Sequence, residues 1–201
     1  MLNEKGLPNP DLYTDYHEML KDETIDAVVI MTGWNGRIAS AIDAMKAGKY
    51  TAIEVECAYN LQECYDLIDT YEKTKMPLMM LENCCYARRE MMALRMAKEG
   101  LFGEIVYCEG AYRHYLNDCE LFLEKADGTV DADHYRLDEY RNRNCDQYPT
   151  HPLGPISKVL NINRGNRMVS LASFASKSCG LKSYVQDHLP KDNPYRDCNF
   201  Q

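Results

Sequence analysis

The chain has 201 residues, 45% hydrophobic and 27% charged, which is ordinary for a globular protein with room for one large domain or one and a half small ones. Its net charge of -8, from 23 basic and 31 acidic residues, argues against a general binder of nucleic acid or of anionic membranes, because such binding needs a basic face. No apolar run approaches the roughly 18 residues that a membrane helix needs.

The N-terminal stretch and the cysteines both bear on where the protein resides. Residues 1–13 lack the basic-then-apolar pattern of a signal peptide. The nine cysteines are odd in number and show no repeated CxxC, so a disulfide framework is disfavoured and a reducing compartment suits the thiols. Their spacing matches no common zinc site, and no metal is expected. The sequence therefore predicts a cytoplasmic protein.

The first hundred residues alternate between short apolar runs and amphipathic segments. Strands are predicted at 25–31, 50–55 and 76–82. Helices are predicted at 37–49, 60–74 and 88–100, with Asn60 as the cap of the second and glycine ending the first and third. Such alternation with short connections predicts a parallel sheet with right-handed crossovers, which is part of a doubly wound, Rossmann-like α/β fold. We expect the methionines of the third strand and helix to lie in the core, namely Met79, Met80, Met91, Met92 and Met96.

The pattern changes after Gly103, and a second domain of the α+β class is predicted there. The expected elements are a long strand at 104–116, an irregular polar stretch at 117–147, a helix at 151–162 and a strand at 167–176. No closing element is expected in the tail, 191–201. We therefore divide the chain into residues 1–102, a partial nucleotide-binding domain, and 103–201, part of a substrate domain.

Polar and aromatic side chains follow each predicted strand of the first region, at 32–35, 54–56 and 82–86. Ligands of open parallel sheets bind outside the carboxyl ends of the strands, so these residues predict one side of a binding cleft. Each also has a plain alternative: Glu54 as a solvated carboxylate, Asn83 as a helix cap, Trp34 as a packing lid. The chain contains no Gly-x-Gly-x-x-Gly turn, so the pyrophosphate-binding first unit of a dinucleotide domain is missing from it.

The stretch YPTHPLGP, residues 148–155, places three prolines around Tyr148 and His151. Each proline fixes φ, removes a backbone donor and disfavours helical geometry in the residue before it. One interpretation is a rigid turn that leads into a helix. The other is that the prolines hold the two rings in place for chemistry.

Several motifs resemble a known family. Residues 11–49, with their strand and a helix ending Ala-Gly-Lys, are similar to the middle of the Rossmann domain in the Gfo/Idh/MocA oxidoreductases. The motifs ENCCY (82–86), YPTH (148–151) and NINRGNRM (161–168) resemble glycoside hydrolase family 109, the NAD-dependent α-N-acetylgalactosaminidases. The likeness covers roughly residues 10 to 200. Members of that family are about twice as long, so the chain resembles an internal piece.

The resemblance implies roles for individual residues. The positions that match cofactor contacts are Trp34, Asn35, Gly36, Arg37, Glu54, Val55, Asn83 and Tyr148. The positions that match substrate contacts are Tyr112, Arg136, Tyr148, Pro149, Thr150 and His151. His151, Tyr148 and Tyr86 are the expected catalytic residues, and His114 either contacts the substrate or supports a neighbour. The family usually has histidine where Arg37 stands and proline where Gly33 stands.

The implied activity is an NAD-dependent hydrolysis of terminal α-N-acetylgalactosamine by transient oxidation at C3, deprotonation at C2, elimination and addition of water. Histidine suits the proton steps because it titrates near neutrality. One alternative is an NAD(P)-dependent sugar oxidoreductase, which Val55 disfavours because the oxidoreductases carry lysine there. Another is a truncated, inactive chain. A sheet without its first strands has an open edge, so self-association is also expected.

Overall fold

The structure is a computed structural model in which residues 6, 8–117, 121–131, 134–177 and 180–197 are described. The chain divides into two compact units, Met1–Glu82 and Asn83–Gln201. The domain boundary between residues 102 and 103 stays a prediction.

The first unit alternates helices and strands. They are α1 (Tyr16–Leu20), β1 (Ala27–Ile30), α2 (Arg37–Lys46), β2 (Tyr50–Ile53), α3 (Leu61–Thr74) and β3 (Leu78–Met80). The three strands form a sheet in the order β1-β2-β3, and both pairs are parallel. This arrangement confirms the α/β class and the partial Rossmann-like sheet.

Local signals set the helix ends in this unit. The Asn60 side chain accepts a hydrogen bond of 3.0 Å from the Glu63 amide, as predicted for an N-cap. The Glu63 carboxylate in turn accepts a hydrogen bond of 2.6 Å from the Tyr59 amide. The two side chains therefore provide acceptors for two backbone amides at the start of α3. After α2 the chain turns at Gly48 with φ of 76°, a value that favours glycine.

The core of the first unit lies on one face of the sheet. Ile38, Ala41 and Met45 of α2 are buried with Ile53 of β2 and Leu67 of α3. Strand residues alternate between faces, so the cross-strand row Val29–Ala52–Met79 points the other way. Val29 is 62% exposed and Met79 50%.

The predicted core positions of the methionines are therefore wrong in part. Met79 stands on the opposite face of the sheet from α2 and α3, and it is exposed. Met91 and Met92 of α4 (Arg88–Lys98) are also exposed, because that helix has no buried residue. Met80 is partly buried against the core. Strand β3 has the expected apolar alternation, but only one of its faces is covered.

The second unit is mostly helical. It contains a 3-10 turn (Asn83–Cys85), α4, a two-stranded antiparallel hairpin of β4 (Leu123–Glu124) and β5 (Val130–Asp131), α5 (Tyr135–Asn142), α6 (Thr150–Val159), α7 (Gly180–His188) and a 3-10 turn (Pro194–Asp197). Its core consists of Leu121, Phe122, Leu137, Val185 and Leu189, all at most 6% exposed.

Two predicted strands of this unit are wrong. Residues 104–116 and 167–176 have no regular secondary structure. Strand backbone needs a hydrogen-bonded neighbour, and the described residues provide none for either segment. Val169, Leu171 and Phe174 are accordingly between 85% and 94% exposed.

Helices α1, α5 and α7, the β4–β5 hairpin and both 3-10 turns were not predicted. Helix α5 falls in the stretch expected to be irregular, because Leu137 is its single buried apolar residue and its pattern is weakly amphipathic. Helix α7 has apolar residues at the helical spacing of Leu181, Tyr184 and Val185. The 3-10 turn at Pro194–Asp197 lies in the tail, where no element was expected. Among the described helices, none combines the length and the apolar character needed to cross a membrane.

Candidate functional site

Arg37, the first residue of α2, joins the carboxyl ends of β1 and β2. Its Nε donates to the Thr32 carbonyl at 3.1 Å, and Nη2 donates to the same oxygen. Its Nη1 donates to the carbonyls of Glu54 at 2.8 Å and Val55 at 2.6 Å. The side chain is 5% exposed. The guanidinium is therefore engaged with backbone oxygens at this edge of the sheet.

Trp34 makes the same connection from the preceding turn. Its indole Nε1 donates to the Val55 carbonyl at 3.2 Å, and the side chain is buried. Val55 is buried as well, and the half-buried Glu54 accepts a hydrogen bond of 3.2 Å from the Val55 amide. Trp34 and Arg37 are thus buried side chains that hold the loops after β1 and β2 together, and their contact with a cofactor stays a prediction.

Thr32, Gly33, Asn35 and Gly36 are exposed at this edge. Gly36 precedes α2 with φ of 81°, and no side chain caps the helix. The Arg37 amide donates to the Trp34 carbonyl at 3.4 Å, so the amides of Ile38 and Ala39 are the ones for which the described residues offer no intrahelical or capping acceptor, at a point where ligands of parallel sheets bind. These backbone groups suit a phosphate or hydroxyl of a nucleotide cofactor.

In the second unit, the rings of four predicted residues pack together. The Tyr112 ring centre lies 4.4 Å from that of His114 and 4.3 Å from that of His151. The rings of Tyr148 and His151 stack at 5.1 Å with an angle of 4° between their planes. His151 is 8% exposed. We call these four residues the ring cluster, and the fold assembles it from segments more than thirty residues apart.

Helix α6 confirms the helix predicted at 151–162, and the expectation that the prolines disfavour helical geometry at His151 and Gly154 is wrong. Helix α6 starts directly after Pro149 and includes both His151 and Gly154. Proline is tolerated in a first turn because the first amides of a helix have no intrahelical acceptor. Pro155 stands further in, and it lacks the N–H that would meet the carbonyl of His151. The helical start places Tyr148 and His151 one turn apart.

Gly110 explains why the segment before Tyr112 lies across α6. A Cβ at this glycine would come within 3.1 Å of the Pro152 carbonyl and of side-chain atoms of Pro152 and Ile156. Only glycine allows so close an approach without displacing the helix. Two residues later the Tyr112 ring packs against His151. The segment was predicted as a strand, but its packing partner is a helix.

Helix α5 contributes two neighbours of Tyr148. Arg136 Nη2 donates to the Tyr148 phenol oxygen at 2.9 Å, and its guanidinium stands 5.1 Å from the centre of that ring. The Tyr135 hydroxyl lies 3.0 Å from the same oxygen. His134 caps the helix by accepting from the Arg136 amide at 3.3 Å. Arg136 was predicted, whereas Tyr135 was missed because no pattern in the sequence links it to Tyr148.

A cavity of about 420 Å³ opens beside these side chains. Its lining includes Tyr112, His114, Arg136, Asp146, Gln147 and Tyr148. The volume falls in the range of small-molecule sites, and the mixture of rings and hydrogen-bonding groups suits a sugar. The Gln147 side-chain nitrogen is buried without a hydrogen-bond partner among the described residues. Gln147 was not predicted from the sequence, although it directly precedes the YPTH motif.

The other predicted site residues of the second unit are not part of the ring cluster. Pro149 is exposed and Thr150 half-buried at the start of α6. Tyr86 is 53% exposed, and the Lys158 ammonium stands 3.9 Å from its ring centre. Lys158 follows His151 by two helical turns, roughly 10 Å along α6. Asn83 is exposed at the start of the 3-10 turn.

The motif NINRGNRM forms a tight turn after α6. Asn161 and Asn163 have φ of 53° and 62°, values that asparagine tolerates better than most residues. The Asn166 side chain donates to the Leu160 carbonyl at 2.7 Å and so closes the turn. Backbone geometry therefore accounts for the asparagines of this motif.

The sequence of the chain is similar to those of known proteins. The family model described as "Glycosyl hydrolase 109, C-terminal domain" matches residues 86–201. The chain is 38% identical to an alpha-N-acetylgalactosaminidase of Tannerella forsythia, over 97% of this chain and 45% of the relative. It is 40% identical to the enzyme of the same name in Bacteroides fragilis, over 96% of this chain and 46% of the relative. The chain thus spans about half the length of the curated relatives it matches.

Solved structures also resemble part of the chain. A probable dehydrogenase from Thermotoga maritima is 24% identical, with a TM-score of 0.46 over 51% of this chain and 31% of that protein.

Proposed function

The chain belongs to glycosyl hydrolase family 109, and from this membership we propose that the protein is a glycosidase that removes terminal α-linked N-acetylgalactosamine. The observation that carries the proposal is the ring cluster of Tyr112, His114, Tyr148 and His151, whose first three members line a cavity of about 420 Å³. Aromatic faces and a few directed polar groups are the means by which proteins bind sugars in such cavities.

We propose NAD as the cofactor, held at the carboxyl edge of the sheet in the first unit. The edge suits a nucleotide because the uncapped start of α2 presents amides there. Asn35, Gly36 and Glu54 would contact the cofactor, while the buried Trp34 and Arg37 maintain the loops. Val55, Asn83 and Tyr148 are further proposed contacts on the resemblance alone. When bound, NAD would supply the transient oxidation of the sugar at C3.

The substrate contacts follow from the cavity. Arg136 would donate to a sugar hydroxyl beside its bond to Tyr148, and the Gln147 nitrogen would donate to another. Tyr112 would place its ring against the apolar face of the pyranose. Pro149 and Thr150 are proposed as flanking contacts at the start of α6.

The proton steps are assigned to the stacked pair. His151 would remove the proton on C2, which is acidic when C3 carries a carbonyl, and the oxygen on C1 would leave as the double bond between C1 and C2 forms. Tyr148 would hold and return the proton of the C3 hydroxyl. Water then adds across the double bond to release the sugar. Tyr86 remains a third candidate for proton transfer.

The test is hydrolysis of p-nitrophenyl α-N-acetylgalactosaminide by the protein in the presence of NAD. We expect nitrophenol release, no net change in absorbance at 340 nm, and one deuterium at C2 of the product formed in D2O. Net accumulation of NADH would instead support the sugar oxidoreductase, which Val55 disfavours. Release of nitrophenol without deuterium at C2 would contradict the proposed chemistry.

Self-association is proposed on the basis of the sheet. Strands β1 and β3 each have one unpaired edge among the described residues. An unpaired strand edge favours pairing with another chain. Light scattering that gives the mass of a single chain at all concentrations would contradict this proposal.

A further inference from the structure

Two consecutive residues of α5 meet at the phenol oxygen of Tyr148. Arg136 Nη2 donates to this oxygen at 2.9 Å, and the Tyr135 hydroxyl lies 3.0 Å from it. The Arg136 guanidinium also stands 5.5 Å from the centre of the Tyr135 ring and 5.1 Å from that of Tyr148. The arginine is therefore positioned between the faces of the two tyrosines and close to both hydroxyl groups.

The support behind this arrangement is rigid. Leu137, the next residue of α5, is fully buried in the core of the second unit. The Tyr148 ring is stacked on His151 with 4° between the planes, and the Tyr148 amide donates to Asp146 at 3.0 Å. The ring plane and the oxygen of Tyr148 are thus held by different contacts. Such support is what precise proton transfer requires, because small misplacements are costly in rate.

We propose that Tyr135 is a positioning residue for Tyr148. A phenol oxygen can accept two hydrogen bonds and donate one. With Arg136 and Tyr135 both donating, one position on the oxygen is left, and through it Tyr148 exchanges a proton with the sugar oxygen at C3. The removal of the C2 proton then belongs to His151. This inference rests on the proposed function of Tyr148.

The kinetic test compares Tyr135→Phe with the wild-type protein, using p-nitrophenyl α-N-acetylgalactosaminide and NAD. Removing one hydroxyl should lower kcat by about tenfold, the value of a typical hydrogen bond, with KM changed by less than about twofold. Because Tyr135 acts through Tyr148, the double variant Tyr135→Phe/Tyr148→Phe should be no slower than Tyr148→Phe alone. Tyr107→Phe is the matched control, since its exposed hydroxyl bonds to Glu109 at 3.2 Å, away from the cavity lining.

The outcomes separate the inference from the proposed function. Additive losses in the double variant, or a raised KM in Tyr135→Phe, would mean that Tyr135 contacts the sugar itself and would overturn the inference. Full activity of Tyr135→Phe beside an inactive Tyr148→Phe would overturn it and leave the proposed function intact. Full activity of Tyr148→Phe would remove Tyr148 from the mechanism, and the inference with it.

A second measurement needs no activity. Tyrosines labelled with carbon-13 at Cζ report the exchange rate of each hydroxyl proton by NMR. The Tyr135 hydroxyl proton should exchange slowly in the wild-type protein and in Tyr107→Phe, because it is donated to Tyr148, and at least about tenfold faster in Tyr148→Phe. An unchanged rate in Tyr148→Phe would show that Tyr135 does not donate to the phenol and would overturn the inference.

Discussion

The two units hold their candidate residues by different contacts. In the first unit, Trp34 and Arg37 donate hydrogen bonds to backbone carbonyls. Arg37 donates to those of Thr32, Glu54 and Val55, and Trp34 also donates to that of Val55. In the second unit, the candidate side chains contact one another through rings and one arginine. A side chain bonded to the backbone shapes the loops of a site, whereas a ring at the wall of a cavity can meet a ligand directly.

One local motif occurs in both units and shows what the surroundings add. Asp22 accepts from the amide and hydroxyl of Thr24 at 2.8 and 2.6 Å, and Asp127 accepts from those of Thr129 at 2.9 and 2.6 Å. These bonds lower the pKa of both carboxyls. Asp22 has a further donor, the Tyr13 hydroxyl at 2.7 Å, and its pKa falls to about 2.

The largest effect is expected in the ring cluster. His151→Ala should lower kcat by about 10² to 10⁴-fold, because the proposed base for the C2 proton is lost, while NAD affinity stays the same. Steady-state kinetics and calorimetry with NAD measure the two quantities. His188→Ala, an exposed histidine at the end of α7, is the control and should remain active. Retained turnover in His151→Ala would contradict the assignment.

A core substitution tests whether the two units unfold separately. Leu137→Ala should lower the free energy of unfolding by about 4 kcal/mol, since it leaves a cavity in a fully buried site. Circular dichroism in urea measures the loss. The single tryptophan, Trp34, belongs to the first unit, so its fluorescence reports that unit alone.

If the circular dichroism and fluorescence transitions of Leu137→Ala coincide, the two units unfold together. If the fluorescence transition stays where it is in the wild-type protein, the two units unfold separately. Leu123→Ala, in the exposed part of the β4 strand, should change neither transition by more than about 0.5 kcal/mol.

The backbone-bonded arginine of the first unit gives a smaller loss. Arg37→Met keeps the length of the side chain but leaves the carbonyls of Thr32 and Glu54 without this donor, and we expect a loss of about 3 kcal/mol in unfolding free energy. Urea unfolding followed by Trp34 fluorescence measures it. Arg88→Ala is the matched control, an exposed arginine that also begins a helix. Equal stability of the two variants would mean that the guanidinium bonds do not support the sheet edge.

The smallest effect concerns pH. Ionised Asp22 has a pKa of about 2 in the fold against an ordinary 3.8, so it stabilises the fold above about pH 4, and this contribution is lost as the pH falls through about 2. Asp22→Asn should therefore lower the urea midpoint at pH 7 and match the wild type near pH 2. Asp127→Asn should show the same direction with a smaller shift, and an equal or larger shift would contradict the added role of Tyr13.

The candidate site was predicted unevenly from the sequence. The motif YPTH marked Tyr148 and His151, and the resemblance marked Tyr112 and Arg136. Nothing in the sequence indicated Tyr135, whose hydroxyl meets Tyr148 only because α5 forms and its buried leucine orients it. The helix at 151–162 was predicted, and its early prolines are tolerated because amides in the first turn make no intrahelical hydrogen bonds that proline would remove.

The sequence by itself determined the parallel sheet and helices α2 and α3 of the first unit, because apolar periodicity and capping residues act over a few neighbouring positions. The tertiary structure alone decided that residues 104–116 and 167–176 form no strand, since a strand depends on a distant partner for its hydrogen bonds. It also decided the packing of Tyr112 on His151, which depends on the close approach of Gly110 to α6. Contacts between residues far apart in the chain leave no periodic signal along it.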